Sequence, residues 1–436
     1  MTVSKTSARL VAFLTATPAL AQTPAKIDAA DTGFMIVSTA LVLMMTLPGL
    51  ALFYAGMVRR KTVLATMAQS AAALAMVSVL WAIAGYSLAF SGDGAWLGNL
   101  DRLLLGGMAF DGVSSLAPTI PEALFMLYQM TFAVITVALI GGAVADRMRF
   151  SAFLLFGALW LFLVYVPSAH WVWGGGFLAK MGVLDFAGGT VVHINAGVAG
   201  LVAALVLGPR HGYGRDNLAP YDLSMAVVGT GLLWVGWFGF NGGSALGAGP
   251  RAVYAITATH LAACSGALVW AALEWIQRRK PSVLGIISGA IAGLGTVTPA
   301  SGFILPWHGL VIGLIAGAVC YWACILLKPK AGYDDSLDVF GVHGVGGIIG
   351  TLLAGVFATG IVSASADAPQ GLNGLLAGNP GQVATQAIGV AVIILWCAIG
   401  TFVALKITAL FTPLRVGKDE EIEGLDLALH GERLHQ

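Results

Sequence analysis

Apolar residues run in long blocks along this chain, and the polar positions gather in the gaps between them. A block of about 20 apolar residues is what a helix needs to cross a bilayer core. Eleven such windows are present, at roughly 33–57, 63–90, 121–143, 151–172, 190–208, 222–240, 252–276, 283–300, 307–328, 342–362 and 383–411. The pattern predicts an all-α polytopic membrane protein with eleven transmembrane helices.

The charges in the gaps give the chain a direction. Arg59, Arg60, Lys61, Arg147, Arg149, Arg210, Arg215, Arg278, Arg279, Lys280, Lys328 and Lys330 fall in alternate connections, and the others hold only Arg102, Lys180 and Arg251. Basic connections stay on the cytoplasmic side. The expectation is an amino end outside and a carboxyl end inside, in the cytoplasmic (inner) membrane. Helices one to five then start outside and six to ten start inside, which predicts a 5+5 inverted repeat followed by one further helix. Such repeats place a shared site near the bilayer midplane, where the halves meet.

Composition agrees with this reading: 58% of residues are hydrophobic, 10% are charged and 58 are glycine. A net charge of +1 without a basic patch excludes a nucleic-acid partner. Cys264, Cys320, Cys324 and Cys397 lie inside apolar runs without metal-site spacing, so they are expected to be small packing residues, and no metal is expected. Glu122 and Glu274 fall near helix ends and are expected to be ordinary interfacial charges. Lys5 and Arg9 precede the apolar run Leu10 to Leu14, and Pro18-Ala-Leu-Ala21 has an A-x-A-like end; residues 1–21 are expected to be a signal peptide. Residues 22–411 then form the transmembrane domain and 412–436 a charged cytoplasmic tail.

Two short segments stand out against the apolar background. Val192-His193-Ile-Asn-Ala-Gly197 and Val342-His343-Gly-Val-Gly-Gly347 share the form V-H-x-x-x-G, and each follows an aspartate, Asp185 or Asp338. His193 falls near the start of the fifth helix and His343 near the start of the tenth, equivalent places in two inverted halves. Ionisable residues inside a membrane are costly and mark function. Glycine-rich lead-ins, Trp173-Gly-Gly-Gly-Phe177 and Ala187-Gly-Gly-Thr190, offer irregular backbone that would let a helix start below the membrane surface. Asp185 and Asp338 are expected to accept the amides of the two helix starts.

No nucleotide-binding loop and no nucleophile with its base is in view, which argues against ATP-driven transport and against an enzyme; no cofactor is expected. Imidazoles pass protons near neutral pH, and aromatic faces attract cations. Moving a small ion into low dielectric costs several kcal/mol in effect and about 20 by an idealised Born estimate. Deprotonating an ammonium group whose pKa lies roughly 2–3 units above neutrality costs about 3–4 kcal/mol. Deprotonation is the cheaper route, and potassium has no proton to lose. Ammonium is the smallest permeant that fits.

From about residue 33 to 432 the sequence resembles the bacterial ammonium transporters of the Amt/Mep/Rh family. The resemblance rests on Asp185-Phe-Ala-Gly-Gly-Thr-Val-Val-His193, Gly236-Trp-Phe-Gly-Phe-Asn241 with Ser244, Asp338-Val-Phe-Gly-Val-His343 and the tail Gly424-Leu-Asp-Leu-Ala-Leu-His-Gly-Glu432. It implies a homotrimer of eleven-helix subunits, each with its own pore. By position it implies an outer cation site at Trp173, Ser244 and Phe132, a stacked gate of Phe132 and Phe240, and twin pore histidines His193 and His343. Asp185 then corresponds to the structural aspartate at the outer mouth. It further implies control by a trimeric PII-type signal protein at the cytoplasmic face. Two other functions share these features: an ammonium sensor signalling through the tail, and a neutral gas channel.

Overall fold

The structure, a computed structural model, describes residues 26–364 and 370–434. The expected signal peptide lies outside the described residues. Among the described residues ten helices are long and apolar enough to cross a membrane: α1 (Ala29–Met57), α2 (Arg60–Phe90), α3 (Glu122–Ala143), α4 (Phe150–Met181), α5 (Gly189–Leu207), α6 (Leu223–Gly242), α7 (Pro250–Arg278), α9 (Pro306–Ala331), α10 (Phe340–Phe357) and α11 (Gly381–Phe411). The eleventh, α8 (Val283–Val297), has 15 residues and rises only about 22 Å. The chain continues from it as buried turns through Ile304, which is why the apolar run outlasts the helix. The protein is thus a multi-pass helical membrane protein of eleven crossings. A two-stranded hairpin, β1 (Val113–Ser114) with β2 (Ala117–Pro121), sits in the α2–α3 connection.

One further boundary and two charges differ from the sequence expectation. The run to residue 362 breaks at Ala358, which turns extended (ψ 138), and Thr359 caps a separate short turn of helix, Gly360–Ser363. Glu122 and Glu274 are not ordinary interfacial charges. Glu122 is buried, accepts from Tyr86 Oη at 3.0 Å and pairs with Arg102 Nε at 2.8 Å. Glu274 is buried and accepts the Ser282 N–H at 2.7 Å, tying α7 to the start of α8.

The first turns of α5 (Gly189–Ile194) and α10 (Phe340–Gly344) are both π-helical, and each holds one of the two histidines. The matching places in the fifth and tenth helices are those an inverted repeat requires. The two helices cross in contact: a Cβ added to Gly197 would stand 2.2 Å from the Gly344 Cα, so only glycine allows the approach.

At the basic end of the bundle, the buried charges are paired or hydrogen-bonded. Arg210 joins Asp334 at 2.8 Å and Asp146 at 3.3 Å, Arg59 joins Asp146 at 3.2 Å, and Arg147 donates to the Asp334 carbonyl at 2.5 Å. Burial pulls the Arg147 guanidinium down to about 10. The tail folds onto this end through α12 (Lys418–Glu423) and α13 (Leu425–His430). Glu421 accepts from His211 N at 2.6 Å and pairs with Arg415 at 2.7 Å, while Asp426 accepts from Ala65 N at 2.8 Å.

Candidate functional site

Asp185 starts the site. Its buried carboxylate accepts the N–H groups of Gly188, Gly189 and Thr190, each at 2.7 Å, that of Val191 at 3.2 Å, and the Thr190 hydroxyl at 2.5 Å. These are the orphan donors of the α5 start, so one anion satisfies the helix end and offsets its positive pole. Gly188 takes φ +118°, which suits only glycine, and lets the chain turn from Asp185 into the helix. His193 follows and is held by α5 with a 1% exposed ring.

The second helix start is capped by a different aspartate from the one expected. The Asp338 carboxylate does not receive the α10 amides; the residue takes φ +59° and its carboxylate pairs with Lys328. Asp335 is the cap, accepting the Phe340 N–H at 2.7 Å. Burial pushes its carboxyl up to about 6, a shift that the neighbouring Lys328 ammonium opposes. Asp334 and Asp335 look alike in sequence, and nothing local distinguishes either from Asp338 as an acceptor.

His193 and His343 meet edge to edge, with ring centroids 5.3 Å apart and planes at 12°. The His193 ring also lies nearly parallel to Trp237 with centroids 5.6 Å apart, and the Trp237 indole is fixed by a 2.9 Å bond to the Thr298 hydroxyl. With Met45, Leu50, Phe240 and Ile291 the histidines and Trp237 line a cavity of about 10 Å³. That is at the lower limit for a single water. His193 Nε2 is buried without a hydrogen-bond partner.

Next to this constriction lies a roomier aromatic vestibule of about 230 Å³, lined by Tyr128, Phe132, Trp173, Phe186 and Ser244 among others. Phe132 and Phe240 close its floor, stacked at 4.2 Å and 24°. Trp173 stands edge-on to Phe132 at 5.7 Å and 86°, oriented by an indole bond of 2.8 Å to the Asp185 carbonyl. Ser244 donates to the Phe240 carbonyl at 2.8 Å, so its proton is spent and its lone pairs remain for an incoming N–H. On the far side of the histidines a second vestibule of about 160 Å³ is lined by Tyr54, Trp270, Ser288, Asp338 and His343.

Trp173, Ser244, Phe132, Phe240, His193 and His343 therefore fall along one line through the bundle, with Asp185 behind it and Asp338 at its far mouth. Sequence reasoning missed Tyr128, Trp237 and Asp335. Tyr128 sits one turn before Phe132, and its hydroxyl lies 2.8 Å from the Phe240 carbonyl; a helical i, i+4 aromatic pair is the one signal that pointed to it. Among the described residues no cluster of three or more His, Cys, Asp or Glu is placed to hold a metal.

The model of the Ammonium Transporter Family matches residues 33–434. The chain is similar to the "Ammonium transporter" of Bacillus subtilis (strain 168), 50% identical over 408 residues, covering 93% of this chain and 98% of that one. Among solved structures it is similar to the crystal structure of Saccharomyces cerevisiae Mep2, 38% identical with a TM-score of 0.84 over 90% of this chain and 88% of that one. A "Sensor Amt Protein" is 27% identical, with a TM-score of 0.82 over 92% of this chain and 98% of its own.

Proposed function

The chain belongs to the Ammonium Transporter Family, and on that premise we propose that it moves ammonium by stripping it of a proton. The cation is recruited in the vestibule of Trp173, Phe132 and Ser244, against ring faces and a hydroxyl acceptor. It gives up its proton near the Phe132–Phe240 gate to the His193–His343 pair, which relays it, and ammonia passes the constriction along the two rings. The observation that carries this reading is the change of scale, from an aromatic vestibule of about 230 Å³ to a histidine-lined constriction of about 10 Å³. A solvated ion does not fit the second space. The protein acts as a transporter, not an enzyme.

The working unit in this proposal is a homotrimer in the cytoplasmic membrane, with the amino end outside and the basic end within. The mature chain starts near residue 22, and 412–436 form a regulatory tail. A PII-type protein would meet the cations that stay exposed at the basic end, Arg60, Arg215, Arg278, Arg279, Lys280 and Lys330, since Arg147 and Arg210 are buried. A second reading, sensing, is favoured by the tail contacts at His211 and Ala65, which couple it to two connections. A neutral gas channel is the third. Current across proteoliposomes under an ammonium gradient decides: inward current supports ion-linked transport, and ammonia flux without current sinks it in favour of the gas channel.

A further inference from the structure

Helix α11 lies outside the two repeats, yet one of its side chains reaches into both. Gln386 is fully buried. Its Oε1 accepts the Leu184 N–H at 2.7 Å and lies 3.1 Å from Gln382 Nε2; its own Nε2 donates to the Leu184 carbonyl at 2.7 Å and to the Thr351 carbonyl at 3.0 Å. Both donors and both acceptor positions of the carboxamide are filled, so the amide has a single workable orientation. Leu184 belongs to the α4–α5 turn in the first half, and Thr351 is two turns beyond His343 in the second.

What Leu184 precedes gives the contact its meaning. The next residue, Asp185, caps α5 with its carboxylate and orients Trp173 with its carbonyl. The same face of α11 holds the rest of the turn: Gln382 Nε2 donates to the Gly182 carbonyl at 2.8 Å, and a Cβ on Gly389 would meet Val183 at 2.9 Å. Three α11 positions, spaced i, i+4 and i+7, therefore grip residues 182–184.

We propose that Gln386 is a positioning residue for transport, fixing the Leu184–Asp185 turn so that Trp173 faces the vestibule and the α5 start holds His193 in register with α10. It touches no permeant. This inference rests on the transport reading above.

The test uses the full chain in proteoliposomes, comparing wild type with Gln386→Leu and Gln386→Glu. Leucine removes every bond of the amide; glutamate, held neutral by burial, keeps the acceptor toward Leu184 N and one O–H donor in place of the two N–H donors. Gln386→Leu is expected to raise the half-saturating ammonium concentration about five-fold, the equilibrium equivalent of one lost hydrogen bond, and to speed amide deuterium exchange in residues 184–191. Gln386→Glu should fall between it and wild type. Unchanged half-saturation and exchange, with current scaling only with the amount of folded protein, would overturn the proposal. If the leucine variant does not fold, the glutamate variant decides by the same two measurements. Absence of ammonium current in wild type would instead reject the transport reading, and the exchange measurement would still judge the positioning.

Discussion

His193 and His343 meet through like atoms: their Nδ1 nitrogens lie 3.2 Å apart in a buried contact between residues 150 positions distant in sequence. A hydrogen bond between two Nδ1 atoms needs one bare nitrogen and one N–H, so the two neutral rings must hold opposite tautomers. One ring then offers an acceptor at Nε2 and the other a donor. The pair is polarised along the path, and reversing it takes three proton movements: one gained at the bare Nε2, the Nδ1 proton passed across, and one released from the other Nε2.

Replacing both histidines with alanine should abolish ammonium current while the helices stay folded, because the Gly197–Gly344 crossing and the Asp185 cap remain. A single acidic change, His193→Asp or His343→Glu, puts a carboxylate in the narrow constriction and should admit potassium along with ammonium. Both currents measured in the same membranes check this. Wild-type ammonium current with potassium exclusion in the double alanine would make the histidines packing residues.

Trp173→Leu removes a ring face worth roughly 0.5–2 kcal/mol to a bound cation. The half-saturating ammonium concentration should rise about 2- to 30-fold, with the maximal current less affected. An unaltered concentration dependence of the current would remove Trp173 from the recruitment site.

The three aspartates near the site should differ in what their loss does to stability. Asp185→Ala leaves four amides and a hydroxyl without their acceptor and should cost at least about 2 kcal/mol, the upper range for an ordinary cap. Asp335→Ala should cost about 1–2 kcal/mol. Asp338→Ala breaks only a partly exposed ion pair with Lys328 and should cost less than about 1 kcal/mol. Thermal midpoints of the purified variants give the ranking, and a larger loss at Asp338 than at Asp335 would contradict the cap assignment.

Asp335 also carries a pH signature. Its folded carboxyl is pushed up to about 6 from an ordinary value near 3.8. The native state therefore holds this proton more tightly than the unfolded chain does, so the contribution is full below about pH 4 and is lost as pH rises through about 6. The shift amounts to about 3 kcal/mol. The stability difference between wild type and Asp335→Asn should move in the asparagine variant's favour between pH 4 and 6 and be flat above about pH 7. A pH-independent difference would show that the carboxyl is not perturbed.

The crossings were legible because twenty apolar residues leave a chain few alternatives, and the histidines because imidazole is conspicuous among valine and glycine. Phe132 and Phe240 were different: aromatics are common in apolar runs, and only the resemblance to a family singled them out. The caps show a third case. Asp335 and Asp338 are both close to α10 in sequence, and which of them reaches the Phe340 amide depends on the positive φ of Asp338 and on Lys328 drawing its carboxylate away. Glu122 was misjudged for a related reason, since Arg102 comes to it from a loop twenty residues away. Local sequence carries the helices; partners that arrive from elsewhere decide which charge is buried.

The contact between Gly197 and Gly344 bears on how the protein moves its cargo. A carrier that opens alternately to each side needs its halves to roll over one another at the level of the bound molecule. Here that level is where the halves touch main chain to main chain, with no side chain between them to serve as a bearing. Rolling would pull the paired imidazoles apart. The arrangement suits a fixed sieve, whose throughput is governed by the barrier inside the passage and not by the pace of a conformational cycle.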